Sequence, residues 1–244
     1  MSAVSTPVVL ERFHTTPDLV AAAAAKLIAE VQGAGRLHQR FSLGLSGGRV
    51  AASLYRKLVE LSAISSVPWQ VVDFYWADER CVPRDHADSN FLQADEVLLR
   101  PLIVPRHHIF RLRGELPPAE AAALASSQVR ENIPVGADGL PALDLVLLGM
   151  GEDGHIASLF PDAPHAIVES KEPFLAIMDS PKPPPQRITM GYGLLKAAKN
   201  IRVIVASGDK AAMLRSSLSE GGTSSLAKLV HMRTTTTILT DQPV

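Results

Sequence analysis

L-D-L-V-L-L-G-M-G-E-D-G-H-I-A-S-L-F-P occupies residues 143–161 and decides how the rest of the chain is read. Residues 143–148 are apolar apart from Asp144, with the length and branching of a strand buried in a parallel sheet. The run stops at glycines, and a titratable pair, Asp153 and His155, follows before the next apolar run begins. In open α/β sheets, ligands bind beyond the carboxyl ends of the strands. Ionisable groups crowded into that position point to an enzyme, and His155 is the group to explain.

Outward from this strand, strands and helices alternate. Upstream, strands are expected at residues 8–14, 41–45, 69–77 and, in short form, 109–112. The first helix starts with Thr16, Pro17 and Asp18, a capping hydroxyl, a first-turn proline and an acid at the positive end of the dipole. Val20, Ala24, Leu27, Ile28 and Val31 share one face of it, and Gly33 and Gly35 are expected to end it. A second helix buries Val50, Leu54, Leu58 and Leu61, and residues 90–99 and 118–132 read as helices. Downstream, strands are expected at 174–178, 187–190, 201–206 and 235–240, with helices through Leu194 and Leu195 and over 210–218. The Pro-rich residues 180–185 read as a surface bend. The pattern implies a single domain over residues 1–244, of the α/β class: a three-layer αβα sandwich around a mostly parallel sheet.

Composition narrows the function. The chain has 244 residues, 46% hydrophobic and 20% charged, which suits one globular unit with a large core. Net charge is −1, and no basic stripe with interleaved aromatics is present, so no nucleic-acid partner is expected. Cys81 is the one cysteine, which rules out a disulfide scaffold and fits a reducing compartment. No apolar run approaches the ~20 residues of a bilayer span, so no membrane partner is expected. The opening M-S-A-V-S-T-P lacks the charged-then-apolar pattern of a leader. The expectation is a cytoplasmic protein, monomeric or homodimeric.

Three loops at strand ends carry the candidate chemistry. Ser46, Gly47, Gly48 and Arg49 lie between a strand and a helix amino terminus, where glycines let amides turn towards an anion and the dipole favours negative charge. The same residues complete G-L-S-G-G, the nucleophile-elbow pattern of serine esterases, with Ser46 as nucleophile. Against that reading, only one strand and one helix precede Ser46, and no oxyanion loop of the H-G-G type lies upstream. Asp78, Glu79 and Arg80 sit at the end of the third strand: two acids for sugar hydroxyls, and an arginine whose planar fork suits phosphate. Asp85, His86 and Asp88 read as solvated loop, and their spacing is not a metal-site pattern. In the third loop, glycines flank His155, whose ordinary pKa of about 6.5 makes it a usable base. Ser158 is expected to cap a following helix. Arg187 and Lys210 are two later cations within reach of a phosphate at the sheet edge.

L-S-G-G-R at 45–49, D-E-R-C-V-P at 78–83 with Ser89-Asn90 after it, G-M-G-E-D-G-H-I-A-S-L-F-P at 149–161, P-x-x-R-I-T around Arg187 and S-G-D-K-A at 207–211 run in one order along nearly the whole chain. With these blocks the chain resembles the 6-phosphogluconolactonase family, lactone hydrolases of the oxidative pentose phosphate pathway within the glucosamine/galactosamine-6-phosphate isomerase superfamily. The resemblance implies hydrolysis of a small sugar-phosphate lactone, with no cofactor and no metal, and with His155 as general base. Arg80 and Lys210 then lie near the phosphate or the developing oxyanion, and Asp153 orients the imidazole or holds a hydroxyl. Ser46, Gly47, Gly48, Arg49, Asp78, Glu79, Asn90, Gly151 and Arg187 complete the expected substrate contacts. Two departures stand out: Ile156 follows the histidine where the family usually has threonine, and Arg49-Val50 follows S-G-G. G-H-I-A also occurs in glucosamine-6-phosphate deaminases, but those continue with F-N-E-P and carry D-E-Y, whereas this chain has S-L-F-P and Arg80. A deaminase is the alternative enzyme, and a non-catalytic sugar-phosphate-binding module the alternative class. Such a module normally accompanies a DNA-binding segment, and none is visible before the first strand.

Overall fold

The computed structural model describes residues 8–206 and 208–244. The stretch 1–7, read above for a leader, and Ser207 of the S-G-D-K-A block lie outside the described residues.

β1 (Val8–Arg12) leads into α1 (Thr16–Arg36). Thr15, not Thr16, caps this helix: its hydroxyl accepts from the Asp18 N–H at 3.2 Å. The helix runs through Gly33 and Gly35 and ends at Arg36, because the left-handed turn that stops it falls at His38, with φ of 53°. β2 (Phe41–Leu45) and α2 (Arg49–Ser62) follow, and α2 packs on α1. Residues 69–71 form a 3₁₀ turn rather than strand; Pro68 starts the turn, its carbonyl accepting the Val71 N–H at 3.0 Å. The strand proper is β3 (Val72–Trp76), and β4 (Asp78–Arg80) comes one residue later. α3 (Asn90–Ala94) continues into a π-helical turn (Asp95–Leu99), and α4 (Pro118–Asn132) precedes β5 (Leu145–Gly149). The remaining elements are α5 (His165–Val168), β6 (Phe174–Ile177), β7 (Arg187–Met190), α6 (Tyr192–Ala197), β8 (Asn200–Val205), α7 (Ala211–Leu218), α8 (Ser225–Met232) and β9 (Thr236–Thr240). Neither α5 nor α8 was expected from the sequence.

Six strands form one sheet in the order β1-β9-β8-β5-β2-β3, with every neighbouring pair parallel and helices flanking it. Leu43, Leu45, Val146, Leu148, Val203 and Ile238 point from its strands into the core and are buried. Each such burial stabilises by roughly 1.5–3 kcal/mol. Asp144, the one acid in the decisive run, sits just before β5 at the amino edge of the sheet. It accepts hydrogen bonds from the Ser42 N–H and hydroxyl, both at 2.8 Å, and pairs with Lys199.

This strand order creates the site. β2 continues through α2 to β3 on one side, whereas β5 leads to β8 and β9 on the other. β2 and β5 are hydrogen-bonded neighbours, so a crevice opens between their carboxyl ends. The loop after β2, the loop after β5 and the segment after β8 all empty into it.

A second sheet, not foreseen as separate, is antiparallel in the order β4-β7-β6. Ala77 joins the sheets: its N–H donates to the Leu45 carbonyl, and its own carbonyl accepts from Met190 N–H, both at 2.7 Å. Residues 109–112 meet β3 through the Phe110 N–H on the Phe74 carbonyl, at 2.8 Å, and through the Phe110 ring stacked on Tyr75, with centroids 4.7 Å apart, but form no strand. The chain leaves that edge because Gly114 packs against the Arg80 and Val82 carbonyls, with no room for a side chain.

Candidate active site

A cleft of about 230 Å³ lies over the β2–β5 crevice. Ser46, Gly47, Gly48 and Arg49 form one wall, and Gly149, Met150, Gly151, His155 and Ala157 the facing one. Asp78, Arg80, Asn90, Arg187 and Lys210 close it. Every sequence-named site residue lines the cleft except Glu79 and Asp153.

The Ser46–Arg49 loop is built to present amides. Tyr55 OH donates to the Ser46 carbonyl, and the Ser46 hydroxyl donates to the Leu147 carbonyl at 2.8 Å. Ser46 is buried, and its hydroxyl has no histidine partner among the described residues. That geometry does not fit the nucleophile-elbow reading. Gly48 has φ of 99°, and a Cβ on Gly47 would stand 1.8 Å from Asn90 Oδ1, so both positions demand glycine. α2 has no side-chain cap and no acid in its first turn. Gln93 Oε1 accepts the Gly48 N–H at 3.0 Å, which leaves the first-turn N–H groups of α2 and the Arg49 cation beside the cleft for an anion.

His155 is mostly buried, and its Nδ1 pairs with Asp153 Oδ1. That pairing places the proton on Nδ1 and leaves Nε2, which has no hydrogen-bond partner among the described residues, as the basic nitrogen in the cleft wall. Phe160 packs beside the ring with centroids 4.8 Å apart. Burial depresses the His155 pKa below its ordinary value; Asp153 opposes the shift and Lys182 adds to it. For Asp153, burial pushes upward, but the His155 hydrogen bond and charge and the Lys182 ammonium together leave it lowered. Ile156, at the position where threonine was expected, is fully buried and forms part of the core. Ala157 holds φ of 48°, a left-handed conformation that costs a non-glycine residue roughly 1–2 kcal/mol. It is kept there between the Gly151–His155 turn and Ser158.

Asp78 is a locked carboxylate. Ser158 Oγ donates to its Oδ2 at 2.6 Å, and Asn90 Nδ2 reaches its Oδ1 at 3.2 Å. Ser158 therefore does not cap a helix. Glu79 does not line the cleft: its carboxylate accepts the N–H groups of Arg80, Asn90 and Phe91 and the Ser89 hydroxyl. Burial raises its pKa to about 7 despite those donors. It fixes the start of α3, and so the Asn90 amide, from behind.

The cations divide by use. Arg187 lines the cleft but spends four of its five N–H donors on the carbonyls of Lys182, Pro183 and Pro184 and on Ser158 Oγ, at 3.0–3.4 Å. It clamps the Pro-rich bend more than it offers a free fork. Arg80 donates to the Asp88 carbonyl at 2.7 Å, and its buried Nε has no partner among the described residues. Lys210 stands at the amino end of α7; burial lowers its pKa, with Glu152 opposing and Arg49 reinforcing the shift. Its ammonium has no acidic partner within 4.0 Å among the described residues.

Lys182 was missed by the sequence reading. The clamped bend carries its Nζ to 3.4 Å from Asp153 Oδ1 and 3.5 Å from His155 Nδ1. The available signal was a lone lysine inside a proline run just before Arg187. Asp85, His86 and Asp88 are exposed, as expected. Among the described residues, no group of three or more His, Cys, Asp or Glu side chains is placed to hold a metal, and no helix is long and apolar enough to cross a membrane.

Residues 14–239 match the family model described as glucosamine-6-phosphate isomerases/6-phosphogluconolactonase. The chain is 38% identical over 224 residues to human 6-phosphogluconolactonase, covering 88% of this chain and 83% of that protein. It is 38% identical over 190 residues to Arabidopsis thaliana chloroplast 6-phosphogluconolactonase 3, covering 75% of this chain and 57% of that one. The chain spans between 57% and 65% of the length of the plant chloroplast relatives it matches. The solved structure of 6-phosphogluconolactonase from Trypanosoma brucei superposes with a TM-score of 0.83 at 25% identity, covering 97% of both chains.

Proposed function

Because the chain belongs to the glucosamine-6-phosphate isomerase/6-phosphogluconolactonase family, we propose that its cleft hydrolyses 6-phospho-D-glucono-1,5-lactone to 6-phosphogluconate, the lactonase step of the oxidative pentose phosphate pathway, in the cytoplasm. The observation that carries this reading is the imidazole of His155 in the cleft wall, tied at Nδ1 by Asp153 and without a partner at Nε2 among the described residues, across from an anion-ready loop.

A δ-lactone is an activated ester, so positioning one water and stabilising the oxyanion suffices. His155 Nε2 takes a proton from water as the water oxygen bonds to C1. The tetrahedral oxyanion collapses, the C1–ring oxygen bond breaks, and the imidazolium returns its proton to the departing ring oxygen. Asp153 holds the tautomer and stabilises the transient imidazolium, acting as a positioning residue. The amide of Gly47, the α2 amino terminus, Arg49 and Lys210 grip the phosphate, supplying binding energy remote from the reacting carbon. Asp78 and Asn90, locked together, face the sugar hydroxyls. Arg80 and the remaining donor of Arg187 stand beside them. The reading needs no cofactor.

The decisive assay is proton release from freshly generated 6-phosphogluconolactone at constant pH. Acceleration over the spontaneous rate supports the proposal, and ammonia release from glucosamine 6-phosphate in its place would turn the assignment to a deaminase. Lys210→Ala tests the phosphate grip: kcat/KM for the phosphorylated lactone falls by about tenfold or more, as expected for a lost charge-assisted contact. The unphosphorylated lactone is hardly affected. Unchanged selectivity would remove Lys210 from the phosphate site.

Lys182 tunes the base. Its charge opposes protonation of His155, so it helps keep the ring deprotonated at lower pH. A general base works only when deprotonated, so activity falls as pH drops through its pKa. In Lys182→Met the His155 pKa rises, and the acid limb of the kcat/KM profile moves to higher pH. Lys182→Arg restores the limb. An acid limb unmoved in the methionine variant would show that the ammonium does not act on the ring.

A further inference from the structure

A second recess, of about 170 Å³, is lined by Arg84, Arg106, Arg111, Arg113, Phe91, Ile109 and Gln128. Four arginines converge there from two stretches of chain, Arg84 from one and Arg106, Arg111 and Arg113 from the other, and no acidic residue lines the space. The whole chain carries a net charge of only −1, so this concentration is local. Arg111 is preorganised: its guanidinium lies 5.5 Å from the Phe91 ring centroid and is held from the side by a two-pronged pair with Glu115, at 2.8 and 2.5 Å. That pair is fully formed near neutrality, because the Arg111 hydrogen bond holds the Glu115 pKa down to about 2. The guanidiniums of Arg84, Arg106 and Arg113 donate to no protein group and have no acidic partner within 4.0 Å among the described residues. Gln128 adds an amide from α4.

We propose that this recess is a second, non-catalytic anion site that takes a compact phosphorylated ligand carrying more than one negative charge. Unpaired guanidiniums gathered around one concavity repel one another until an anion fills it. Planar N–H forks match phosphate oxygens in pairs, which an ammonium cannot do. The volume admits a pyrophosphate-sized group. The recess is separate from the catalytic cleft but shares a wall with it: Phe91 lines one and Asn90 the other, and the Glu79 carboxylate holds both backbone N–H groups.

The test uses pyrophosphate as the probe and calorimetric titration of the whole chain at near-physiological salt. Lys210→Ala serves as background, because it weakens the phosphate grip of the catalytic cleft. Pyrophosphate binding persists in that background, and adding Arg106→Ser with Arg113→Ser lowers its affinity by about tenfold or more. Both arginines are exposed, so the melting temperature stays near that of the parent. The arginine pair alone leaves lactone kcat/KM within about twofold, a span of less than 1 kcal/mol. Equal affinity with and without the two arginines overturns the proposal. So does loss of all binding in Lys210→Ala alone, which would place the probe in the catalytic cleft. Loss of lactone turnover in the arginine pair would overturn its non-catalytic character.

Discussion

His155→Ala lowers enzymatic lactone hydrolysis by ~10²–10⁴-fold, the usual contribution of a positioned general base. The loss falls on kcat, because the groups assigned to the phosphate, Gly47, Arg49 and Lys210, lie on other segments and remain in place. KM therefore stays within a few-fold of the parent. The lactone opens spontaneously, so the rate is read as the enzyme-dependent increment over a blank at the same pH. The variant also loses the acid limb of its pH profile, since the titrating group is gone. His155→Gln is a useful second variant: it keeps bulk beside Phe160 but cannot accept and return a proton, and its kcat falls into the same range. A variant that retains parental turnover would place the base elsewhere, and no other imidazole lines the cleft.

How much of this was legible beforehand depends on what each residue's chemistry is spent on. The strand–loop–strand skeleton was readable because 41–45, 143–148 and 201–206 are short, mostly apolar runs that end in glycine-containing loops. Three loops following such runs in a parallel sheet must open at one edge, so Gly47, His155 and Lys210 could be placed together without coordinates. Their individual roles were less readable. Glu79 and Arg187 carry charge, but burial turned that charge onto backbone groups: one carboxylate on α3 amides, one guanidinium on three consecutive carbonyls. Ser46 matched an elbow pattern, yet its hydroxyl was committed to β5. Sequence shows which donors exist, not which are already satisfied. The second sheet was hidden because β4 is three residues of Asp, Glu and Arg, with no alternation to betray a strand. Lys182 was hidden because its partners lie 27 and 29 residues away, joined to it only by the Arg187 clamp.

Gly151→Ala disables the site without replacing any reacting group. A Cβ there would stand 2.1 Å from both Cε1 and Nδ1 of His155 and 2.6 Å from Asp153 Oδ1. Carbon contacts are comfortable only from about 3.5 Å, so something must move by more than 1 Å. The backbone resists: the Gly151 N–H donates to the His155 carbonyl at 2.9 Å, and the Gly151 carbonyl accepts from Gly154 N–H at 3.0 Å. The imidazole is the softer element, and its displacement breaks the Nδ1 pairing with Asp153. A misplacement of about 1 Å in a reacting group costs ~10²-fold, and loss of the fixed tautomer deepens it. The expected kcat loss is therefore ~10²-fold or more, approaching that of His155→Ala, while the overpacking itself destabilises the fold by only about 1–3 kcal/mol. Kinetics and thermal unfolding on one preparation separate the two effects. A Gly151→Ala enzyme with parental kcat and an unmoved pH profile would mean that the ring never needed this pocket. Proton transfer would then have to be assigned to a group outside the Asp153–His155 pair.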